Sequence, residues 1–194
     1  MSNPLIDAGS FLVQTIFSFF ILLLMLRLLL QALRADFYNP ISQFIVKMTS
    51  PLVKPFQRVI PKTTRINVAV ILVMLILQMC AIFLLLWLNN RGMPNLLGLS
   101  LWALAQLLSL LVDVFFYAIL IMVVLSWIAP NLYNPVVSLL YQITEPLLAP
   151  ARRLIPPISG FDISPIIVIV LLKLTTILLI NPLANLGTLF ALSG

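Results

Sequence analysis

Two ionisable side chains, Asp113 and Lys173, stand deep inside stretches of sequence that are otherwise apolar. At about 1.5 Å per helical residue they lie roughly 14 Å and 12 Å from an end of their predicted spans, near the midplane of a bilayer. Charges at that depth are costly and point to function. The shared depth predicts an Asp113–Lys173 ion pair inside a helix bundle. Two alternatives stay open: an ion or proton path through the same residues, or Lys173 reaching the headgroups alone while Asp113 faces a water pocket.

Other reactive side chains are few. The chain has no histidine and a single cysteine, Cys80, which we expect to be an inert buried thiol. An intramolecular disulfide, a haem-attachment motif, a CxxC redox pair and a histidine-based metal site or triad are therefore excluded. The remaining candidates, Glu145, Asp162 and Arg153, form no acid–base constellation, although Glu145 and Arg153 are placed to form a surface ion pair. The sequence predicts neither an enzyme nor a bound cofactor.

The composition is that of an integral membrane protein. Of the 194 residues, 62% are hydrophobic and 8% are charged, and the mean hydropathy is +1.19. A soluble domain carries about a quarter of its residues charged. The net charge of +6 fits a membrane surface or a topology signal better than nucleic acid, because few aromatic residues are interleaved with the basic ones.

Four apolar stretches predict an all-α membrane protein with four transmembrane helices. The fourth is short unless Ile163 or Leu183 extends it, and 96–103 either lengthens the third helix or lies on the surface before it. The first stretch is expected to stay as a membrane helix, since an acid stands where a signal peptide has positive charge. The predicted spans are Ser10–Leu33, Ile66–Leu88, Leu104–Trp127 and Pro165–Ile180.

A duplication organises the chain. Residues 38–61 and 133–156 share ten identities at a constant offset of 95 residues. The chain therefore divides into two units of helix, proline-rich segment and helix, 1–95 and 96–194, predicted to be parallel repeats. The offset also places Ser18 and Gln78 opposite Asp113 and Lys173, so each half is expected to hold one polar contact between its helices.

Basic residues fix the predicted orientation. Eight of them flank the proline-rich segments, against Arg91 alone on the other side, which puts these segments in the cytoplasm and both termini outside. Arg27, near the cytoplasmic end of the first span, is expected to snorkel to the headgroups. The eight are Arg34, Lys47, Lys54, Arg58, Lys62, Arg65, Arg152 and Arg153.

The two proline-rich segments, here called elbows, run over residues 39–62 and 134–157. In the second, Asn134 is a good N-cap and the helix is expected to end at about Thr144, because Pro146 disfavours helical geometry at Glu145. Pro150 then opens a second short helix that ends before Pro156 and Pro157. A polar stripe along the first helix makes it amphipathic, suited to the headgroup plane or to packing on its own bundle.

Three interpretations of the elbows stay open: a connector with topology charges, a platform for a protein partner or anionic lipid, and a re-entrant pore-lining segment. The face available to a partner or to lipid phosphates is predicted to comprise Glu145, Arg152, Arg153, Arg58 and Lys54. Asp162 and Asn67 precede the following spans, where N-capping is the expected role.

The residues SWIAPNLYNPVVSLLYQITEPLLAPARRLIPP and FDISPI, within Ser126–Ile166, resemble the signature of the YggT family of bacterial and plastid membrane proteins. The first copy is similar but looser, with Thr49-Ser50-Pro51 in place of Thr144-Glu145-Pro146. The resemblance implies a small polytopic protein of the cytoplasmic membrane without established catalytic activity or family-wide catalytic residues. It also implies a link to osmotic or ion stress, to division-related membrane organisation or, in plastids, to cytochrome maturation.

Together these observations favour a non-enzymatic assembly or scaffold factor of the bacterial inner membrane, with a role in osmotic or ion-stress tolerance. The expected partners are the bilayer, anionic headgroups, and another membrane protein or a second copy of the chain. The alternative is an oligomeric ion channel or transporter that uses polar groups at the midplane, since four spans are too few to enclose a pathway in one monomer.

Overall fold

The computed structural model describes residues 4–36, 38–60, 67–128, 134–155 and 162–193. Over these ranges it is helical, and its elements are α1 Pro4–Ala32, α2 Pro40–Val59, α3 Val68–Leu88, α4 Leu96–Ile128, α5 Pro135–Leu154, α6 Ser164–Thr175, a π-helical turn Thr176–Ile180 and α7 Asn181–Leu192. Four helices are long and apolar enough to cross a membrane: α1, α3, α4 and the continuous run Ser164–Leu192. The predicted all-α, four-span class is confirmed.

The fourth span is longer than predicted. The predicted span ended at Ile180, but the helix continues through Pro182 to Leu192. A π-helical turn makes this possible: the Asn181 N–H bonds to the carbonyl of Thr176, five residues back, which widens the turn just before the proline. Proline inside a membrane helix is tolerated where such a local adjustment satisfies the backbone groups it frees.

The elbow helices are not broken at their prolines. The expected stop at Thr144 is wrong: α5 runs without interruption from Pro135 to Leu154, through Pro146 and Pro150. The two prolines are four residues apart and both are exposed. Their missing N–H groups therefore fall on one face, away from the bundle, where solvent can satisfy the two free carbonyls. The helix ends at Leu154, before Pro156 and Pro157 as predicted. The topology residues Lys62 and Arg65 lie outside the described residues.

Each elbow helix packs on both spans of its own repeat, α2 on α1 and α3, and α5 on α4 and α6. The two repeats meet chiefly along α3 and α4. One large apolar core joins α1, α2, α3 and α4, and a second joins α1, α2, α4 and α5. Thr49 and Thr144, which occupy equivalent positions of the two repeats, are both fully buried against the spans.

Among the described residues, the most extensive helix–helix contact joins the first half of α4 to α7. Residues 96–103 extend α4 rather than lying on the surface, and the helix reaches 33 residues, or roughly 50 Å. Its backbone touches that of α7: the Asn95 N–H bonds to the Ala191 carbonyl at 3.1 Å. Gly98 and Gly187 allow this approach, because a β-carbon at Gly98 would stand 2.0 Å from the Ala191 nitrogen.

Candidate functional site

A polar cleft lies halfway along the spans, between α1, α3 and α4. Ser18 is at the midpoint of α1 and Gln78 at the midpoint of α3, so both fall at the depth of the bilayer centre if these helices span it. With Gln106, Ser109 and Asp113 of α4 they line a cavity of about 380 Å³, here called the midspan cleft. The Gln78 amide donates to Gln106 Oε1 at 2.7 Å.

The sequence analysis missed two members of the midspan cleft, Gln106 and Ser109. A signal was available, because Gln106, Ser109 and Asp113 recur at i, i+3 and i+7 and so form one stripe along α4. The cleft continues toward the end of the bundle opposite the elbows, as a cavity of about 280 Å³ whose lining includes Gln14, Asn89 and Arg91. A continuous row of polar groups thus runs from that end to the middle of the spans.

Lys173 lies apart from this cleft. Its ammonium stands 4.2 Å from the centre of the Phe116 ring, a cation–π contact that compensates a charge in an apolar setting. Asp113 instead lines the cleft with residues of α1 and α3. Within the described residues the ion pairs both belong to Arg152, so the structure does not bring Asp113 and Lys173 together as an ion pair. It does bring Asp113 to Ser18 and Gln78.

Arg27 does not snorkel as expected. It is 5% exposed, and its guanidinium donates from Nη1 to Thr49 Oγ1 of α2 at 2.9 Å. The reason is the position of α2, which packs across the end of α1 and covers Arg27. The Thr49 hydroxyl donates its own hydrogen bond to the Ile45 carbonyl at 2.7 Å, so a lone pair of its oxygen accepts from Arg27.

Cys80, expected to be buried, is exposed on α3.

The two elbow helices are fastened to each other and to the end of α1. Asn134 caps α5 by accepting from the Val137 N–H at 2.9 Å, and Asn39 caps α2 by accepting from Ile41. The Asn39 amide also donates across the repeats to the Pro135 carbonyl at 2.8 Å. Gln142 of α5 accepts from the backbone N–H of Asp36, which follows α1, at 3.0 Å. These hydrogen bonds fix the two elbow helices relative to each other, so that they form one continuous surface.

Arg152 connects the second elbow to the fourth span. Its guanidinium contacts Glu145 at 3.0 Å and Asp162 at 2.8 Å. The expected partner of Glu145 was Arg153, but Arg152 is seven residues on, two turns along the same face, whereas Arg153 is rotated away and exposed. Lys54 and Arg58 of the first elbow are exposed as well.

The contact between Arg152 and Asp162 shifts the pKa values of both groups. Partial burial alone raises the pKa of the Asp162 carboxyl, but hydrogen bonds from Ser164 and Arg152 outweigh it and hold the pKa below the usual range. Burial lowers the pKa of Arg152, while its two carboxylate partners raise it above the ordinary value. Both groups are therefore charged at neutral pH, and the link between α5 and α6 persists there.

Of the two residues predicted to cap a span, Asp162 makes a hydrogen bond to the start of its helix and Asn67 does not. Asp162 accepts from the Ser164 N–H, at the start of α6, at 2.9 Å. Asn67 occupies the N-cap position of α3, but its side chain makes no capping hydrogen bond. The part of the chain that the structure describes holds no group of three or more His, Cys, Asp or Glu side chains that could hold a metal.

Comparison with known proteins gives a consistent family match. The family model described as CCB3/YggT matches twice, at residues 6–88 and 101–183. The two matches begin 95 residues apart, the offset at which the repeats align. No solved structure matches the chain.

Several bacterial proteins are similar over nearly their whole length. An uncharacterized protein of Pseudomonas aeruginosa, PA0392, is 43% identical over 91% of this chain and 90% of its own. An uncharacterized protein encoded in the proC 3' region of Vibrio alginolyticus is 36% identical over 89% of this chain and 94% of its own. The uncharacterized protein YggT of Escherichia coli K12 is 36% identical over 84% of each chain.

Proposed function

The chain belongs to the CCB3/YggT family, and from that premise we propose that it is a non-enzymatic assembly or scaffold factor of membrane homeostasis. Its role would be in the tolerance of the cell to osmotic or ion stress. One observation carries the proposal: the two elbow helices are locked into a single surface by the Asn39–Pro135 bond and by their shared apolar core. A mere connector needs no bond between elbows from different repeats.

The surface of the joined elbows supports a docking role. It presents basic side chains together with apolar ones, which suits a site at the membrane–water boundary. In our proposal the elbows lie on the cytoplasmic side of the bacterial inner membrane and both termini lie outside. The partners would be anionic headgroups and another membrane protein or a second copy. The exposed residues include Lys47, Lys54, Arg58, Arg153, Phe44, Met48, Tyr141 and Leu154.

Charge reversal tests the docking surface. We expect Lys54→Glu, Arg58→Glu and Arg153→Glu together to abolish growth rescue of a gene-deletion strain after an osmotic upshift, because the reversed charges repel anionic headgroups. Folding should tolerate the changes, since these exposed side chains make no ion pair among the described residues. Protein accumulation in the membrane should stay within about twofold of the wild type, since surface substitutions change stability by about 0.5 kcal/mol or less.

The control is the single charge reversal Arg91→Glu, at an exposed residue of the opposite end of the bundle. It should rescue growth as the wild type does. Full rescue by the triple variant, at normal accumulation, would reject the docking surface as the functional element.

A second candidate function rests on a different observation, the row of polar groups that reaches Asp113 from the end opposite the elbows. Polar side chains at the depth of hydrocarbon face a bundle interior or a water-filled cavity. Two or more copies that closed their midspan clefts against each other would enclose an ion path.

Ion flux decides this second candidate. In liposomes loaded with potassium- or proton-sensitive dye, a conducting protein should lose most of its flux with Asp113→Asn. Lys173→Met removes a charge of similar depth that lies outside the cleft and should retain flux. A tight membrane with folded wild-type protein would exclude autonomous conduction and leave the scaffold function as the proposal.

A further inference from the structure

A second polar cavity lies between the end of α1 and the start of α2. It has a volume of about 210 Å³, and its polar lining consists of Arg27, Gln31, Arg34 and Ser42. We call it the elbow cavity. That volume is about seven times the roughly 30 Å³ share of one water molecule in the liquid, so it accommodates a group larger than a single water.

Three side-chain atoms in this lining are buried without a hydrogen-bond partner: Nε of Arg27, Oγ of Ser42 and Oε1 of Gln31. Arg27 is 5% exposed and Ser42 is 4% exposed. Buried polar groups are nearly always satisfied, and an unpaired donor on a charged side chain is among the most costly exceptions. Arg27 and Ser42 thus present two unsatisfied donors at the same cavity, a guanidinium N–H and a hydroxyl.

Among the described residues the positive charge of Arg27 has no counter-charge. The side-chain partner that they supply is the neutral hydroxyl of Thr49. Across the described residues, carboxylates come within 4 Å of a cation only at Arg152. Buried charges are normally paired, because the loss of hydration is otherwise uncompensated. Arg34 adds a second positive charge to the same cavity.

The other repeat shows that the elbow packs without this polar lining. Met122 and Val137 stand at the positions equivalent to Arg27 and Ser42, and both are buried. Thr144, equivalent to Thr49, still bonds to the carbonyl four residues back, at 2.8 Å. The polar cavity is therefore specific to the first repeat, and folding of the helix–elbow unit does not explain it.

Arg34 occupies a backbone position that favours glycine. Its φ is +53°, and it ends α1 with the paired bonds of a Schellman motif: Ala35 N–H to the Leu30 carbonyl at 2.9 Å and Arg34 N–H to the Gln31 carbonyl at 3.3 Å. Glycine is the usual residue there, since a side chain at positive φ is strained. Arg34→Gly therefore removes a cavity charge while relieving the backbone.

We propose that the elbow cavity binds a phosphate-bearing anion through Arg27, Arg34 and Ser42. A phosphate group supplies several acceptor oxygens and the missing negative charge, and planar guanidinium groups bind phosphate with matched geometry. Arg27 lies five residues before the end of α1, roughly 8 Å along the axis, a depth at which the phosphate of a lipid headgroup reaches it. A lipid phosphodiester and free inorganic phosphate share this chemistry.

Native mass spectrometry of the full chain in a nonionic detergent tests the site. The probes are phosphatidylglycerol and, separately, inorganic phosphate. We expect the wild type to retain one phosphatidylglycerol, and Arg27→Met and Arg34→Gly each to weaken its binding about tenfold or more, the loss expected for a charge-assisted hydrogen bond. Arg91→Gln, which removes one exposed positive charge at the end of the bundle opposite the elbows, should bind as the wild type does.

The two probes separate the sources of phosphate. Inorganic phosphate that binds in an Arg27- and Arg34-dependent way, without phosphatidylglycerol binding, would assign the site to a free anion. Arg34→Gly keeps the test valid if Arg27→Met fails to fold, because glycine suits the backbone at that position. Binding of both probes that is unchanged in Arg34→Gly, or equally weakened in Arg91→Gln, would overturn the proposal, as would an absence of binding by the folded wild type.

Discussion

Replacing Gly98 with alanine is expected to lower the free energy of unfolding by about 3 kcal/mol or more, the upper end for overpacking. The added β-carbon would stand 2.0 Å from the backbone nitrogen of Ala191 and 2.4 Å from the carbonyl carbon of Phe190. Backbone atoms cannot rotate away as a side-chain tip can, so α4 and α7 must separate. In thermal unfolding in detergent this corresponds to a fall in Tm of roughly 10 °C.

Gly9→Ala is the matched control. A β-carbon there meets only the tip of Leu88, at 4.0 Å, which is ordinary van der Waals contact. Alanine is also the better helix former, so this variant should be as stable as the wild type or slightly more stable. Gly187→Ala should behave like Gly98→Ala, because its β-carbon would stand 2.5 Å from the Trp102 nitrogen. Wild-type stability in both would show that α4 and α7 do not touch along their backbones.

Thr49→Val should destabilise the fold by about 1.5–3 kcal/mol. The substitution keeps the shape of a fully buried side chain but removes the one hydroxyl that accepts from Arg27 Nη1. A second donor of a buried guanidinium is then left without a partner, which is the costly outcome for a charged group. Chemical or thermal unfolding of the detergent-solubilised protein measures the loss.

Thr144→Val is the control from the second repeat. Thr144 is equally buried and makes the equivalent bond to the backbone carbonyl of Leu140. Its repeat holds Met122 in place of the arginine, so only a neutral local hydrogen bond is lost, worth about 1 kcal/mol. Equal destabilisation by the two substitutions would mean that the Arg27–Thr49 bond contributes nothing to stability.

Much of the fold follows from residue order alone. Runs of about 20 apolar residues fix the number of spans, because only a helix satisfies its own backbone in hydrocarbon. The duplication is visible as identities at a fixed offset, and Asn134 before Pro135 marks the cap of the second elbow, where it accepts from the Val137 N–H. The helix end predicted from Pro146 is wrong, because proline removes one hydrogen bond but does not by itself end a helix whose free carbonyl is otherwise satisfied.

The candidate sites were less accessible to sequence reasoning. A shared depth was predicted for Ser18, Gln78 and Asp113 because depth is a count of residues at a fixed rise, and the three side chains line one cavity. Lys173 has a comparable depth in its span, yet it contacts Phe116 and not Asp113. Depth along the helix therefore does not determine which side chain contacts Asp113 or Lys173.

What the sequence determined by itself is the class, the four spans, the repeat and the depth of each polar group. What only the tertiary structure decided is the direction each group faces: Arg27 toward Thr49 under the first elbow, Asp113 toward α1 and α3, and Gly98 toward Ala191. The physical reason is that these spans are apolar on every side. A helix in a soluble protein marks its buried face by polarity, but lipid and bundle interior are equally apolar, so rotation about the axis is set by packing between helices distant in sequence.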